Sequence, residues 1–355
     1  MMGSVKTFEI NGRRIGPGEP VYIVAEMSAN HNQDFDRAVE IIGAAKEAGA
    51  DAIKLQMYTP DTLTIDCDNE YFLIKGTLWE GRNLYDLYKE AHTPWDWQPK
   101  LKEIANDLGM HLFSTPFDAT AVDFLEEMDV PAYKIASFEM VDLPLIRRVA
   151  QTGKPIIMST GMATLAEIDE AVRTIREVRG NQLALLKCTS AYPALPGEIH
   201  LRTIPHLAEA FGLPVGLSDH TLGIAVPVAA VALGACIVEK HFTLSRSIPG
   251  PDSSFSLEPN EFKNMVGAIR VAEKALGKIS YDVTECEAAS RVFRRSLFVV
   301  KDMKAGEEFT KENVRSIRPG YGLHTRYLVD VLQRRASKDI KRGTPLDLGM
   351  MQGDK

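Results

Sequence analysis

Eight short apolar runs, separated by stretches with helical periodicity, are the feature that most limits how this 355-residue chain can fold. Strands that alternate with helices form parallel sheets, and eight such units close into a barrel. The runs cover Val21–Met27, Asp51–Met57, His111–Phe117, Ala132–Glu139, Pro155–Gly161, Leu183–Ser190, Pro214–His220 and Ile237–Thr243. The sequence therefore predicts an α/β fold, the TIM (β/α)8 barrel, with its active site at the carboxyl ends of the strands.

Each apolar run ends in polar or titratable residues. Because side chains alternate across a strand, residues of the same parity share a face. His220 shares a face with Ser218, and His241 shares one with Glu239. A single polar strand end more often caps a turn or faces solvent. Eight such ends together weaken that interpretation, and we expect them to meet at the barrel mouth.

The chain is longer than the roughly 250 residues of a typical barrel, so a second module is expected. Residues 5–19 predict a hairpin with its turn at Asn11-Gly12, which would close the base of the barrel. After Gly277, short strands broken by turn residues predict a small, β-rich module. The expected boundaries are 1–280 for the barrel domain with its hairpin, 281–290 for a linker and 291–355 for the module.

The segment from Thr59 to Pro94 has no strong periodicity and is predicted to be a long loop. Loops of this length inside a compact domain are usually functional. Its aromatic residues, such as Trp79, Tyr85 and Tyr88, suit either a lid or a subunit contact.

Composition narrows the class of protein. The net charge of −7 argues against a nucleic-acid partner, whose binding proteins are basic. No apolar run is long enough to cross a membrane, and the first twenty residues lack the apolar core of a signal peptide. The four cysteines include no Cys-x-x-Cys pair, which fits reduced thiols. We expect a cytoplasmic enzyme with no nucleic-acid or membrane partner.

Two lysines, Lys54 and Lys134, are predicted to lie in the barrel mouth. A desolvated lysine must either find an anion or lose its proton. Hydroxyl groups follow on the neighbouring strands, at Thr115, Ser137, Ser159, Ser190 and Ser218. Two ammonium groups and a set of hydroxyl donors form a cradle for phosphate. The alternative is a Schiff-base lysine at Lys134, as in aldolases, but that chemistry gives the hydroxyl groups no role.

His220 and His241 close successive strands and would bring two imidazoles within reach of one divalent cation. Imidazole alone favours zinc or iron, whereas added water, carboxylate or sugar oxygens admit manganese or magnesium. Glu26 and Asp252 are the carboxylates best placed for proton transfer. The sequence does not distinguish between them as the base.

A series of motifs follows the strand order along nearly the whole chain. They are Ala25-Glu26, Asn30-His31-Asn32, Lys54-Leu55-Gln56, Ser114-Thr115-Pro116-Phe117, Lys134-Ile135-Ala136-Ser137, Ser159-Thr160-Gly161, Cys188-Thr189-Ser190-Ala191-Tyr192-Pro193, Ser218-Asp219-His220-Thr221, Glu239-Lys240-His241-Phe242-Thr243 and Gly250-Pro251-Asp252. Together they resemble the sialic acid synthase family. The tail, with Arg318-Pro319-Gly320, resembles the antifreeze-like (SAF) domain of that family. Within the family, Gly76–Leu84 and Asp252–Pro259 resemble the branch that makes pseudaminic acid.

The resemblance implies a condensation of phosphoenolpyruvate with an N-acetylated amino sugar and water. For the pseudaminic branch the sugar is 2,4-diacetamido-2,4,6-trideoxy-L-altrose, and the products are a nine-carbon 2-keto acid and phosphate, formed by C–O cleavage of phosphoenolpyruvate. The sialic and legionaminic precursors are alternatives with the same chemistry. A sugar-binding protein without catalytic activity is a more distant alternative.

The resemblance also implies a role for each site residue. Phosphoenolpyruvate would be held by Lys54, Thr115, Lys134, Ser137, Ser159, Ser190 and Ser218. Mn²⁺, or alternatively Mg²⁺ or Co²⁺, would be held by His220 and His241. The sugar or water would contact Gln56, Glu139, Tyr192 and Asp252, and Arg318 would reach the acetamido group across a domain-swapped homodimer. Ser190 departs from the family pattern, since the sialic branch usually has asparagine there.

Overall fold

The computed structural model describes residues 7–178 and 182–353. The chain divides into two compact units, Met1–Gly277 and Lys278–Lys355. The first unit is the predicted barrel, and each unit is described separately below.

Eight parallel strands form the barrel, which closes because the last strand pairs with both the seventh and the first. The strands are β3 (Tyr22–Glu26), β4 (Ala52–Met57), β5 (His111–Pro116), β6 (Tyr133–Ile135), β7 (Ile156–Ser159), β8 (Leu183–Cys188), β9 (Val215–Asp219) and β10 (Ile237–His241). Each lies within one of the eight predicted runs, so the predicted TIM barrel is confirmed.

The barrel unit contains ten α-helices in the described residues. They are α1 (Phe35–Glu47), α2 (Pro60–Leu63), α3 (Leu84–Ala91), α4 (Gln98–Asp107), α5 (Ala119–Glu127), α6 (Leu143–Gln151), α7 (Leu165–Val178), α8 (Thr203–Phe211), α9 (Ala225–Ala232) and α10 (Pro259–Leu276). All of them except α2 and α3 contribute side chains to the apolar clusters that cover the outer face of the barrel. Aspartates start three of them: Asp34, Asp118 and Asp142 accept hydrogen bonds from backbone N–H groups of the first turn. Such caps satisfy amide groups that have no partner within the helix.

A two-stranded hairpin closes the base of the barrel. Strands β1 (Phe8–Ile10) and β2 (Arg13–Ile15) pair antiparallel around a turn in which Asn11 has φ 47° and Gly12 has φ 82°. The side chains of Phe8, Ile10 and Ile15 join the apolar cluster that fills the lower barrel. The predicted hairpin at the base of the barrel is confirmed for residues 7–19. Residues 5 and 6 lie outside the described part of the chain. The opposite, carboxyl end of the barrel is therefore the open mouth.

Two sequence predictions need correction. The run Ala132–Glu139 forms only the short strand β6, and Glu139 instead begins a 3-10 turn, Glu139–Val141. The segment from Thr59 to Pro94 is not a loop throughout, because it contains α2 and α3. Helices of four and eight residues are too short to give a clear 3.6-residue period, so the pattern did not reveal them.

The second unit contains a small antiparallel pair, β11 (Ser296–Val299) and β12 (Val314–Ile317). Its apolar cluster includes Leu297, Phe309 and Val314. The segment predicted as a linker contains a short helix, α11 (Glu285–Ala288), and a further short helix, α12 (Leu328–Val331), follows the strand pair. Within the described residues, no helix is long and apolar enough to span a membrane.

The two units differ in charge. Lys and Arg outnumber Asp and Glu in residues 278–355, whereas the whole chain has a net charge of −7. The barrel unit is therefore more negative than the chain as a whole, and the second unit is positive.

Candidate active site

The polar strand ends meet at the barrel mouth, as their parity predicted. All predicted site residues except Arg318 lie in the barrel unit. Lys54 on β4 lies at the centre, with its Nζ atom 2.6 Å from Glu26 Oε2 and 3.4 Å from Thr115 Oγ1. Lys134 on β6 donates to Ser159 Oγ at 2.7 Å. Both lysines are buried, so each depends on these partners to hold its charge.

Glu239 lies between the two lysines, a contact that the sequence analysis missed. Its Oε1 atom is 3.6 Å from Lys54 Nζ and 3.7 Å from Lys134 Nζ, and it accepts a hydrogen bond from Ser218 at 3.1 Å. Its parity with His241 was the available signal for an inward-facing side chain. The cluster thus contains two ammonium groups and two carboxylates, those of Glu239 and Glu26.

The two lysines differ in how firmly they hold a proton. Burial lowers the pKa of Lys54, but the carboxylates of Glu239 and Glu26 outweigh burial, and the net pKa is raised. Burial dominates at Lys134, where the pKa is lowered despite the attraction of Glu239. Lys54 is therefore the more secure positive charge of the pair.

Two serine hydroxyl groups lie directly against Gly161, which follows β7 by two residues. The Gly161 N–H group donates to Ser137 Oγ at 3.1 Å. A Cβ atom at position 161 would lie 2.2 Å from Ser190 Oγ and 2.7 Å from Ser137 Oγ. Any residue larger than glycine would therefore displace these two hydroxyls.

The two predicted metal ligands face each other, with ring centroids of His220 and His241 5.3 Å apart. His220 Nδ1 lies 2.9 Å from the Thr189 carbonyl oxygen, so Nδ1 carries the proton and Nε2 is free to accept. His241 Nδ1 is buried and has no hydrogen-bond partner among the described residues. Burial also lowers the pKa of His241 well below its usual value, which favours the neutral imidazole that binds metals.

These features fit a divalent cation held by two imidazoles. Among the described residues, no group of three or more His, Cys, Asp or Glu side chains converges on one point. Further ligands would therefore have to be oxygen atoms of water or substrate, which suits manganese or magnesium better than a closed zinc site.

Aromatic side chains cover the histidine pair. Tyr192 stacks on His220 with centroids 4.4 Å apart, and Phe255 lies 4.9 Å from His241. Trp79, from the segment between β4 and α3, lies 5.6 Å from Tyr192 and donates from Nε1 to the Pro251 carbonyl at 3.0 Å. Trp79 thus reaches the mouth of the barrel. Phe255 was missed as a site residue, although it belongs to the Asp252–Pro259 stretch singled out in the sequence.

The two candidate bases have different surroundings. Glu26 pairs with Lys54 and accepts from Gln56 Nε2 at 3.1 Å. Asp252 has no ion-pair partner among the described residues; its Oδ2 accepts from Ser28 Oγ and, at 3.4 Å, from the Ala29 amide. Burial raises the pKa of Asp252, while the Ser28 hydrogen bond lowers it by a smaller amount.

Glu139 lies apart from the lysine cluster, in the turn after β6. Burial raises its pKa to about 7, and its Oε2 atom is buried with no partner in the described part of the chain. Such a group is suited to accept a hydrogen bond from a substrate or to exchange a proton near neutral pH.

Arg318 belongs to the second unit, where it follows β12 and is exposed to solvent. The Ser296 hydroxyl holds the turn after it by donating to the Pro319 carbonyl at 2.6 Å.

Comparisons with known proteins cover both units. The NeuB family model matches residues 41–281, and the SAF domain model matches residues 294–350. The pseudaminic acid synthase of Campylobacter jejuni is 49% identical over 332 residues, which cover 94% of this chain and 97% of that protein. The pseudaminic acid synthase of Helicobacter pylori is 46% identical, covering 92% and 97%. The solved N-acetylneuraminic acid synthetase of Leptospira borgpetersenii has a TM-score of 0.73 and 31% identity, covering 82% and 96%. The resemblance inferred from the motifs is confirmed.

Proposed function

The chain belongs to the NeuB family, and from that premise we propose that it condenses phosphoenolpyruvate with an N-acetylated amino sugar and water to form pseudaminic acid and phosphate. The sugar is 2,4-diacetamido-2,4,6-trideoxy-L-altrose. The observation that carries this proposal is the sequence identity of 46–49% to two pseudaminic acid synthases, which extends along almost the whole of this chain and of theirs. Sialic and legionaminic precursors are the alternative substrates of the same chemistry.

We assign the phosphate of phosphoenolpyruvate to the lysine cluster. Lys54 and Lys134 provide the positive charge, and they offset the charge of the phosphate as it leaves. Hydroxyl groups would complete the cradle, from Thr115, Ser137, Ser159, Ser190 and Ser218. The position of the Ser190 hydroxyl, which lies with that of Ser137 against Gly161, supports the inclusion of Ser190, where serine is a shorter donor than asparagine.

We assign a divalent cation, Mn²⁺ with Mg²⁺ or Co²⁺ as alternatives, to His220 and His241. When bound, the cation supplies Lewis acidity for the aldehyde of the open-chain sugar. The Thr189 carbonyl fixes the tautomer of His220, and the aromatic rings of Tyr192 and Phe255 hold the imidazoles in place.

The proposed reaction forms one carbon–carbon bond and breaks one carbon–oxygen bond. Carbon 3 of phosphoenolpyruvate attacks the aldehyde carbon, and water then adds to carbon 2. Loss of phosphate from carbon 2 leaves the 2-keto group. We assign the base that accepts the proton of water to Asp252 rather than Glu26, since Glu26 is already paired with Lys54 at 2.6 Å.

Phosphate release with phosphoenolpyruvate and each of the three candidate sugars tests the substrate. We expect the highest kcat/KM with the 2,4-diacetamido altrose derivative. Equal or faster turnover of N-acetylmannosamine or of the legionaminic precursor would contradict this assignment. In ¹⁸O-labelled water the label should enter the keto acid, and label in the released phosphate would contradict C–O cleavage.

A Schiff-base aldolase is the second candidate, and one observation favours it: burial lowers the pKa of Lys134, which makes its amine more nucleophilic. Borohydride reduction in the presence of substrate separates the two mechanisms. An aldolase would acquire a covalent adduct at Lys134, whereas the condensation predicts no change in the mass of the protein.

We also propose a domain-swapped homodimer, in which Arg318 of the partner subunit contacts the acetamido group. Two observations support it. Apolar side chains stay exposed in the segments that follow β6, β7, β8 and β9, at Phe138, Val141, Met162, Leu165, Leu195 and Leu222. The barrel unit is negative and the second unit positive, so the second unit of one subunit is complementary in charge to the barrel unit of its partner.

Complementation between inactive variants tests the swap. Arg318→Ala has an intact barrel, and Lys54→Ala has an intact second unit. If Arg318 acts in the partner's site, mixed dimers contain one complete site, and random pairing restores about a quarter of the wild-type activity. No recovery in a mixture shown to exchange subunits would contradict the swap.

We propose a cytoplasmic location as well. The four cysteines are free, which is the form expected in a reducing compartment.

A further inference from the structure

Ser28 has an unusual backbone conformation at the edge of the site. It follows β3 by two residues, is buried, and has φ +46°, in the left-handed region that residues other than glycine rarely adopt. Residues held in such conformations concentrate at functional sites, where the surrounding structure maintains them. The side chain of Ser28 should therefore have a role that depends on this conformation.

The hydroxyl of Ser28 joins the two candidate bases through a chain of hydrogen bonds. Gln56 Nε2 donates to Ser28 Oγ at 3.0 Å and to Glu26 Oε1 at 3.1 Å. Because an amide N–H can only donate, Ser28 accepts from Gln56 and its own proton points to Asp252 Oδ2. The direction of each hydrogen bond between Glu26, Gln56, Ser28 and Asp252 is therefore fixed.

The two carboxylates in this series of hydrogen bonds have different donors. Glu26 is bound by both Lys54 and Gln56, whereas Asp252 receives only neutral donors, and both of them bind Oδ2. Within the described residues, no hydrogen bond reaches Asp252 Oδ1. One oxygen of Asp252 is thus anchored, and the other remains available to a substrate or water.

We propose that Ser28 is a positioning residue that anchors Oδ2 of Asp252 and so directs Oδ1 to the water that adds to carbon 2. This inference rests on the proposed function, and it adds a residue that neither the motifs nor the comparisons assign. Ser28 does not touch the lysine cradle, so its effect should fall on turnover rather than on the binding of phosphoenolpyruvate.

The loop that carries Ser28 has other anchors, which provide a matched control. Asn30 Nδ2 donates to the Phe242 carbonyl and to Ser256 Oγ, and Asn32 Nδ2 donates to the Pro249 carbonyl at 2.7 Å. Asn32 also has a positive φ, of 50°. Replacing Asn32 by glycine therefore relieves the same backbone conformation and removes a contact to the same neighbouring loop, but it leaves Asp252 untouched.

The experiment compares Ser28→Ala, Ser28→Gly and Asn32→Gly by steady-state kinetics. Both Ser28 variants should lose about tenfold to a hundredfold in kcat, the range typical of residues that orient a reacting group, with KM for phosphoenolpyruvate changed by less than about twofold. Asn32→Gly should keep kcat within about twofold of wild type. Ser28→Gly removes the strain together with the hydroxyl, so wild-type turnover in that variant would overturn the proposal.

A double-mutant cycle with Asp252→Asn separates positioning from a general structural role. If Ser28 acts through Asp252, adding Ser28→Ala to Asp252→Asn should lower kcat by less than about twofold further. A full additional loss in that background would overturn the proposal, as would an Asp252→Asn variant with wild-type kcat. Phosphate release by the wild-type protein is measured alongside, and its absence would count against the proposed function rather than against Ser28.

Discussion

The buried ion pair between Lys240 and Asp219 leads to a prediction whose size follows from the structure. The two residues are register partners on β10 and β9, and neither side chain is exposed. Lys240 Nζ donates to Asp219 Oδ2 and to the Thr221 carbonyl. Each residue directly precedes a predicted metal ligand, His241 or His220, so the pair joins the two strand ends that present the imidazoles.

Lys240→Met removes one charge and leaves the other buried. Breaking a buried pair in this way typically costs about 3–5 kcal/mol. Asp219 keeps two donors, since the Thr221 N–H and hydroxyl groups bind Oδ1 at 3.0 and 2.8 Å. We therefore expect the free energy of unfolding to fall by about 3 kcal/mol, the lower end of this range.

The double variant Asp219→Asn with Lys240→Met removes both charges and keeps acceptor capacity for Thr221. Replacing a buried pair by neutral groups of similar volume is often neutral, so the double variant should unfold within about 1 kcal/mol of wild type. If the ion pair also sets the geometry of the imidazoles, the double variant should bind Mn²⁺ more weakly than the wild type in calorimetry, although its free energy of unfolding is close to that of the wild type.

Urea unfolding followed by tryptophan fluorescence measures these changes. All three tryptophans, Trp79, Trp95 and Trp97, lie in the barrel unit, so the signal reports that unit alone. Arg246→Met is a control, because it breaks a pair with Glu261 that is about one-third exposed and should cost less than about 1 kcal/mol. The reasoning is refuted if Lys240→Met loses less than about 1 kcal/mol, or if the double variant is as unstable as the single one.

Three further predictions concern the cradle, the pH dependence and the cation. Gly161→Ala should raise KM for phosphoenolpyruvate at least tenfold, because its methyl group would displace the hydroxyls of Ser190 and Ser137 from the proposed cradle. Gly197→Ala, whose methyl group would meet no atom within 4 Å, should leave KM unchanged. Burial raises the pKa of Glu139 from 4.5 to about 7, so the folded state binds a proton that the unfolded state has lost. Stability should therefore fall as pH rises from about 4.5 to 7, by at most about 3 kcal/mol, and urea midpoints of Glu139→Gln should lack this part of the pH dependence. His241→Ala should weaken Mn²⁺ binding in calorimetry, and wild-type turnover that survives exhaustive chelation would remove the cation from the mechanism.

The sequence predicted the barrel and the location of its site because both depend on short-range periodicity. A period of two along each strand determines which side chains face inward, and the eightfold βα alternation determines where the strand ends lie. Lys54, Lys134, His220 and His241 could therefore be placed at one mouth without any knowledge of their contacts.

What the sequence could not predict depends on the register between strands and on single backbone angles. Glu239 was seen to face inward, but its position between two lysines follows from how β10 aligns with its neighbours around the closed barrel. The positive φ of Ser28 has no signature in sequence, because the residue is not glycine or asparagine. Asp219 and Lys240 alternate with the inward-facing residues of their strands, yet nothing in their spacing shows that they pair.

The lysine cluster also explains how the barrel can keep two ammonium groups buried when no anion is bound. Glu26 and Glu239 match the charges of Lys54 and Lys134, so each buried charge has a partner of opposite sign. A phosphate that enters the cradle competes with these carboxylates for the same ammonium groups, and it also accepts hydrogen bonds from the hydroxyl groups of the cradle. The binding of the substrate is therefore an exchange of partners rather than the neutralisation of free charges. For the same reason, removal of Glu239 alone should destabilise the empty site by leaving two like charges close together.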